Sequence, residues 1–309
     1  MENVTIRNIK RDDDSYPGRM KMLPQMPDEL FVIGELPAEH VPTIGMVGAR
    51  ACDGYGQKIA REFGTAFARC GIQVISGMAV GIDGYSQEGA LAGGGKTFAV
   101  LGSGVDVCYP EGHRTLYEKI QKKGGVISEL PPGTAPLRRN FPLRNRIISA
   151  LSDLVLVIEA RSKSGSLITA DFALEQGKTV FAVPGRVGDQ LSDGCNYLIA
   201  QGAGIAWSAD AVIEELLSRG QVPSLKTLDQ KKEGAKRALS EKIAQDPLLS
   251  DEARALFYRV PETDFFTADD LLARCSCPIA VVASCITELL CAGYLEEIGF
   301  GTYRRKEQP

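Results

Sequence analysis

Between residues 43 and 183 the chain alternates short apolar runs with longer stretches whose apolar residues recur at helical spacing. The runs at 43–47, 73–76, 97–101, 125–128, 154–158 and 179–183 are rich in Val, Ile, Leu and Phe, the pattern of strands covered on both faces. Helical patterns fill 55–70, about 84–92 and 114–123, a short helix is predicted at 147–150, and another opens near Leu167 and runs to about Gly177. Strand and helix in strict alternation predict a parallel, doubly wound α/β sheet. Ligands of such sheets sit beyond the carboxyl ends of the strands, where Gly48, Arg50, Gly77, Gly102, Gly104, Arg144 and Ser164 are expected to gather.

The flanks break this rhythm. Residues 1–40 hold Asp12-Asp13-Asp14 and prolines 17, 24, 27 and 37, and read as an extended N-terminal arm ahead of a body at 41–219. Residues 220–245 mix Lys226, Lys231, Lys232, Lys236 and Arg237 with Asp229 and Glu233, the composition of a solvated linker. From 246 to 309 the pattern is a helix at 251–259, a capped helix opening at Thr267, a helix at 279–291 and a hairpin made of 294–298 and 301–304. That order resembles a winged helix. The recognition-helix equivalent, 278–292, offers Glu288 as its single charged side chain and no Arg, Lys, Asn or Gln for base edges, which points to a protein-contact or regulatory role. Arg304-Arg305-Lys306 leaves room for weak backbone contact with nucleic acid.

Three polar loops follow strands. The first, Ser76-Gly-Met-Ala-Val-Gly-Ile-Asp83, has glycines that let backbone N–H groups approach an anion. In the second, Phe141-Pro-Leu-Arg-Asn-Arg-Ile-Ile148, Pro142 sets the chain ahead of Arg144, Asn145 and Arg146, and two guanidiniums at a helix start suit phosphate oxygens. The third, Ser164-Gly-Ser-Leu-Ile-Thr-Ala170, opens a helix beside Arg161 and Lys163. Phe141 reads equally as a base-stacking face or as a core anchor beside Pro142. Ala90-Leu-Ala-Gly-Gly-Gly95-Lys96-Thr97 imitates a phosphate-binding loop but ends a helix and opens a strand, so its glycines read as a helix stop. No Gly-x-Gly-x-x-Gly dinucleotide fingerprint completes itself at Gly45 and Gly48 or at Gly102 and Gly104.

Charge localises the picture. With 35 Lys and Arg against 39 Asp and Glu the chain carries −4, unsuited to coating duplex DNA with a broad basic face. Yet Arg138, Arg139, Arg144, Arg146, Arg161 and Lys163 outnumber Asp153 and Glu159 by 6 − 2 = +4, which predicts a basic groove in an acidic protein. At 309 residues and 44% hydrophobic the chain has the makings of one large and one small domain. It has no apolar run of membrane-spanning length, and Met1-Glu-Asn lacks a signal-peptide start, so a cytoplasmic location is expected. Cysteines at 52, 70, 108, 195, 275, 277, 285 and 291 form no repeated Cys-x-x-Cys pairs and are expected as reduced core thiols, with no metal site among the last four.

The three loops in this order, with Tyr16-Pro17, Val47-Gly-Ala-Arg50, Gly89-Ala-Leu91, Tyr109-Pro110, Ser128-Glu129, Val183-Pro-Gly185 and Gly194-Cys-Asn196, resemble the DprA or Smf family of bacterial DNA-processing proteins over residues 16–206. The resemblance implies an extended Rossmann-like domain that binds single-stranded DNA, loads RecA onto it during uptake of DNA in natural transformation, and commonly dimerises. It implies no catalytic residue, no cofactor and no metal. The nucleic-acid-binding set so designated is Arg50, Ser76, Gly77, Arg139, Asn140, Phe141, Arg144, Asn145, Lys163, Ser164, Gly165 and Ser166. Many relatives carry a helical domain ahead of this point, and the chain reads as lacking one. It also departs from the family pattern at Val80, where an arginine is usual, at Gln87, where a histidine is usual, and at Ala49 in place of serine.

Two other readings stay open at this point. A nucleotide-processing enzyme of the lysine-decarboxylase-like phosphoribohydrolase type shares the Ser-Gly loop, with Glu175 or Asp171 as its acid or nucleophile, although Ser164–Thr169 lacks the glycines of that family's second loop. A pure interaction scaffold is favoured if Arg144 is salt-bridged internally.

Overall fold

The computed structural model describes residues 5–218, 239–240, 242–260, 266–273, 275, 277–299 and 301–306. Chain contacts divide it into Met1–Leu225 and Lys226–Pro309. The charged linker expected at 220–245 lies largely outside the described residues.

In the first unit the elements run β1 (Ile6–Lys10), α1 (Gly18–Lys21), β2 (Glu29–Gly34), β3 (Thr43–Gly48), α2 (Gly54–Arg69), β4 (Gln73–Ser76), α3 (Ile82–Ala92), β5 (Thr97–Val100), α4 (Arg114–Lys123), β6 (Gly124–Ser128), α5 (Asn140–Leu151), β7 (Leu154–Ile158), α6 (Gly165–Glu175), β8 (Thr179–Ala182), α7 (Asp193–Ala200), β9 (Gly204–Ile205) and α8 (Ala209–Ser218). The strands form one sheet in the order β1-β2-β6-β5-β4-β3-β7-β8-β9. From β6 to β9 all pairings are parallel. Every residue of β4, β5, β6 and β7 is buried, as strands covered on both faces must be. Strand order reverses direction between β3 and β7, the switch point at which a doubly wound sheet opens a crevice.

Residues 5–40 are not an extended arm. Strand β1 pairs antiparallel with β2 from Ile6↔Ile33 to Lys10↔Glu29, and β2 pairs antiparallel with β6. Ile9, Tyr16, Met20, Met26, Leu30 and Val32 enter the main core beside Ile147, Ile148 and Leu151 of α5. The acidic run and the prolines that suggested an arm occupy the connections: Asp13 accepts from the Lys10 amide at 2.7 Å, and Pro17 sits at the start of α1.

Helix α5 also differs, beginning at Asn140 rather than near residue 147. Pro142 falls in its first turn, where the N–H that proline lacks has no intrahelical acceptor, so the residue starts the helix instead of delaying it. Arg144 therefore lies within the helix. The glycines after α3 do act as a stop, Gly94 adopting φ +78° before β5.

The second unit holds α9 (Asp251–Phe257), β10 (Phe266–Thr267), α10 (Ala268–Leu272), α11 (Ile279–Cys291), β11 (Leu295–Gly299) and β12 (Thr302–Arg305), with an antiparallel sheet ordered β10-β12-β11. This is a small winged-helix-like arrangement with its own core of Leu256, Phe257, Phe266, Leu271, Val282, Ile286, Leu289 and Tyr294. Three of its charged side chains bond within the unit. Glu288 accepts from the Ser250 amide at 2.8 Å, Arg304 pairs with Glu296, and Arg305 donates to the carbonyls of Phe257 and Val260. Cys275 and Cys285 are core residues as expected, whereas Cys277 and Cys291 are exposed.

Candidate nucleic-acid interface

A cleft of about 550 Å³ opens over the carboxyl ends of β3 and its neighbours, between the loops that follow β3, β4 and β7 and the first turns of α5 and α6. A recess of about 70 Å³, lined by Gly102, Ser103 and Pro110, shares Arg50, Tyr109, Phe141 and Arg144 with it.

The floor is built by a buried charge pair. Arg144 is 4% exposed, and its guanidinium donates to the Gly77 carbonyl at 2.8 Å and to the Val100 carbonyl, so it spans the ends of β4 and β5. Its Nε donates to Asn145 Oδ1 at 3.2 Å. Asp83 lies opposite, accepting from the Gly77 amide at 3.0 Å. Burial pushes the Asp83 carboxyl up, against the pull of Arg144, the Gly77 and Ala79 amides and the Ser76 hydroxyl. Burial likewise lowers Arg144 to about 10, with Asp83 resisting. In this buried place the charge of each group favours the charged form of the other, against the cost of burial. Gly77 is required because a Cβ there would run into the Arg144 guanidinium.

This corrects three expectations. Ser76, Gly77 and Arg144 are committed within the fold: the Ser76 hydroxyl donates to Met46 O, the Gly77 amide is committed to Asp83, and Arg144 is committed to two carbonyls. The loop after β4 is closed on Asp83 rather than held open as a phosphate cradle. Arg146, counted toward the basic groove, is paired with Glu129 through two hydrogen bonds of 2.7 Å and donates to Gln25 O.

What faces the cleft is aromatic and cationic. Tyr109 and Phe141 lie with ring centroids 5.5 Å apart at 32°, and the exposed Arg50 guanidinium stands 5.4 Å from the Phe141 centroid. Tyr109 is 42% exposed, and Phe141 is half-buried rather than a core anchor. Across from them the first turn of α6 presents Ser164, Gly165 and Ser166, with the Ser164 and Ser166 hydroxyls 2.7 Å apart. A helix start carries N–H groups without intrahelical acceptors and a partial positive charge, which favour an anion. Arg138 completes the lining, whose charges are Arg50, Arg138 and Arg144 against Asp83, or 3 − 1 = +2.

Of the remaining expected residues, Asn145 lines the cleft and ties α5 to α6 by donating to Gly165 O at 3.3 Å. Asn140 donates to Gly102 O at 3.1 Å. Arg139 and Lys163 are exposed and outside the lining. Sequence reasoning left Tyr109 and Asp83 out of the designated binding set and counted Arg138 only toward the basic groove. Tyr109-Pro110 was the available signal, an aromatic next to a proline in the loop after β5.

The chain matches the model of the family described as DNA recombination-mediator protein A over residues 7–217. It is similar to protein Smf of Escherichia coli, 43% identical over 67% of this chain and 56% of that protein. It is also similar to DNA processing protein DprA of Streptococcus pneumoniae, 42% identical over 66% of this chain and 72% of that protein. The matched stretch thus spans little more than half of the Escherichia coli relative. Among solved structures it superposes on DprA of Streptococcus pneumoniae with TM-score 0.65 and 40% identity, covering 69% of this chain and 75% of that one. It superposes on DNA processing protein A of Helicobacter pylori, studied for its single-stranded DNA binding mode, with TM-score 0.63 and 27% identity over 70% and 98% of the two chains. With most of the body matched by the family model and the same fold shared with these structures, the chain belongs to the DNA recombination-mediator protein A family.

Proposed function

We propose that the cleft binds single-stranded DNA, and that the protein acts through it as a recombination mediator that delivers RecA to the bound strand. The observation that carries the binding step is the Tyr109–Phe141 pair with Arg50 over its ring, facing a cleft bounded by a helix start. Stacking rings beside cations and backbone donors suit unpaired bases and their phosphates. A duplex keeps its base faces stacked inside and offers these rings nothing. The net charge of −4 confines attraction to this local site. Relatives named for DNA processing support the mediator role, and the family resemblance supports RecA as partner, a dimer and a cytoplasmic setting. No helix among the described residues is long and apolar enough to cross a membrane.

The commitment of Arg144 to the Gly77 and Val100 carbonyls, short of a salt bridge, is the observation that leans toward the scaffold reading. Arg50, Arg138 and the aromatic pair still face the cleft, so a binding surface survives the loss of Arg144 from it. The hydrolase reading is less well served: Asp171 and Glu175 are exposed on α6 outside the lining, and the cleft's own carboxylate, Asp83, is committed to the Gly77 amide and Arg144.

Fluorescence anisotropy with a labelled oligo-dT tests the reading. Binding is expected to weaken steeply with salt, to resist duplex competitor, and to lose about 1–3 kcal/mol in Phe141→Ala. Absence of binding, with wild-type stability intact, would leave the scaffold reading.

A further inference from the structure

Glu159 has no part in the binding just described, yet its backbone is among the most constrained in the chain. It follows the last residue of β7 with φ +50°, a left-handed conformation held by two other non-glycine residues among those described, and it is 6% exposed. Such a conformation in a buried, non-glycine residue persists where its surroundings hold it, and it marks a place to look for function.

Its contacts fall on both sides of Arg50. The Glu159 carbonyl accepts from the Ala49 amide at 2.7 Å, and its carboxylate Oε2 accepts from the Asp53 amide at 3.2 Å. One residue thus grips the turn immediately before Arg50 and three residues after it. The Asp53 carboxylate caps α2 by accepting from the Tyr55 and Gly56 amides at 2.7 and 3.0 Å, and it lies within hydrogen-bonding reach of the Glu159 carboxyl. Gly56 leaves the space for this: a Cβ there would run into the Glu159 carboxyl.

Resting on the single-strand reading of the cleft, we propose that Glu159 is a positioning residue for Arg50, a clamp whose grip depends on one proton shared with Asp53. With the proton on, Glu159 donates to the Asp53 carboxylate and the turn is closed at both ends. With it off, two carboxylates face each other across the turn and push apart.

The surroundings place that proton in the neutral range. Burial first, then Asp53, raises Glu159 from 4.5 to about 7, whereas the Gly56 amide leads in lowering Asp53. The other groups facing the pair are Cys52 and Tyr55 from the turn and α2, and Cys195 from α7, with Arg61 acting on Cys52. Burial raises all three, Cys195 to about 12, so they keep their protons while the carboxyl pair titrates. Because the folded chain holds this proton more tightly than the unfolded one, the stability it contributes is complete below about 4.5 and is lost as pH rises through about 7.

The test pairs oligo-dT affinity with hydrogen exchange of residues 49–56, each at pH 6 and pH 8, for wild type, Glu159→Gln, Glu159→Ala and Arg50→Ala. Glutamine keeps a donor toward Asp53 at every pH. Wild-type affinity is expected to fall roughly threefold to tenfold from pH 6 to pH 8, the range set by a group titrating near the middle of that window. Glu159→Gln should hold the pH 6 affinity at both values, Glu159→Ala should be weak at both, and Arg50→Ala should lose the pH dependence. Exchange of 49–56 in DNA-free protein, corrected for intrinsic rates, should quicken at pH 8 in wild type and not in Glu159→Gln. A Glu159→Gln profile that tracks wild type in both measurements overturns the clamp. Glu159-dependent exchange in a protein that binds no oligonucleotide at either pH would sustain the clamp and remove the single-strand reading on its own.

Discussion

Replacing Arg144 with Met is expected to cost the first unit about 3–5 kcal/mol, the penalty for removing one partner of a buried charge pair. Asp83 would be left buried without its cationic neighbour, and the Gly77 and Val100 carbonyls would lose their donor. For a unit of this size the drop corresponds to about 6–20 °C in melting temperature, readable by calorimetry or circular dichroism. Adding Asp83→Asn should return part of the loss, because the uncompensated charge goes with it. Loss of oligonucleotide binding in Arg144 variants would then follow from a collapsed cleft floor rather than from a missing phosphate contact. A variant that melts like wild type and binds more weakly would place Arg144 on the ligand instead.

Arg50→Ala should give the opposite signature. Its side chain is exposed and stands over the Phe141 ring, so stability should change by no more than about 0.5 kcal/mol. Binding should weaken by about 1–3 kcal/mol, the combined worth of a cation against a stacked ring and one against a phosphate. The slope of log affinity against log salt should shrink by about one, as expected when one phosphate contact is removed. Weakened binding with an unchanged slope would assign Arg50 to stacking alone. The two arginines, similar in the sequence, are thus separable by one melt and one titration.

The parallel strands were legible because each is a continuous apolar run, a pattern that burial on both faces enforces. The amino-terminal strands were not, since Asp12 to Asp14 and four prolines dominate the composition of that segment while the pairing that orders it is made with β6, far along the chain. Pro142 misled for a related reason: the residue that ends helices also starts them, and its neighbours do not say which. At the site, sequence showed where cations are but not what they face. Arg144 and Arg146 look as available as Arg50 until the strand-end carbonyls and Glu129 come into contact with them. The Tyr109–Phe141 pair joins a loop after β5 to the first turn of α5, a contact that no local pattern announces.

The most direct test of a single strand lying in this cleft is photo-crosslinking of an oligonucleotide carrying 5-iododeoxyuridine, with the attached residues identified by mass spectrometry. Crosslinks at Tyr109 and Phe141, lost in excess unlabelled oligo-dT and retained in excess duplex, are the predicted result. Crosslinks confined to residues 251–306, or none at either ring under conditions where the strand is bound, would contradict it.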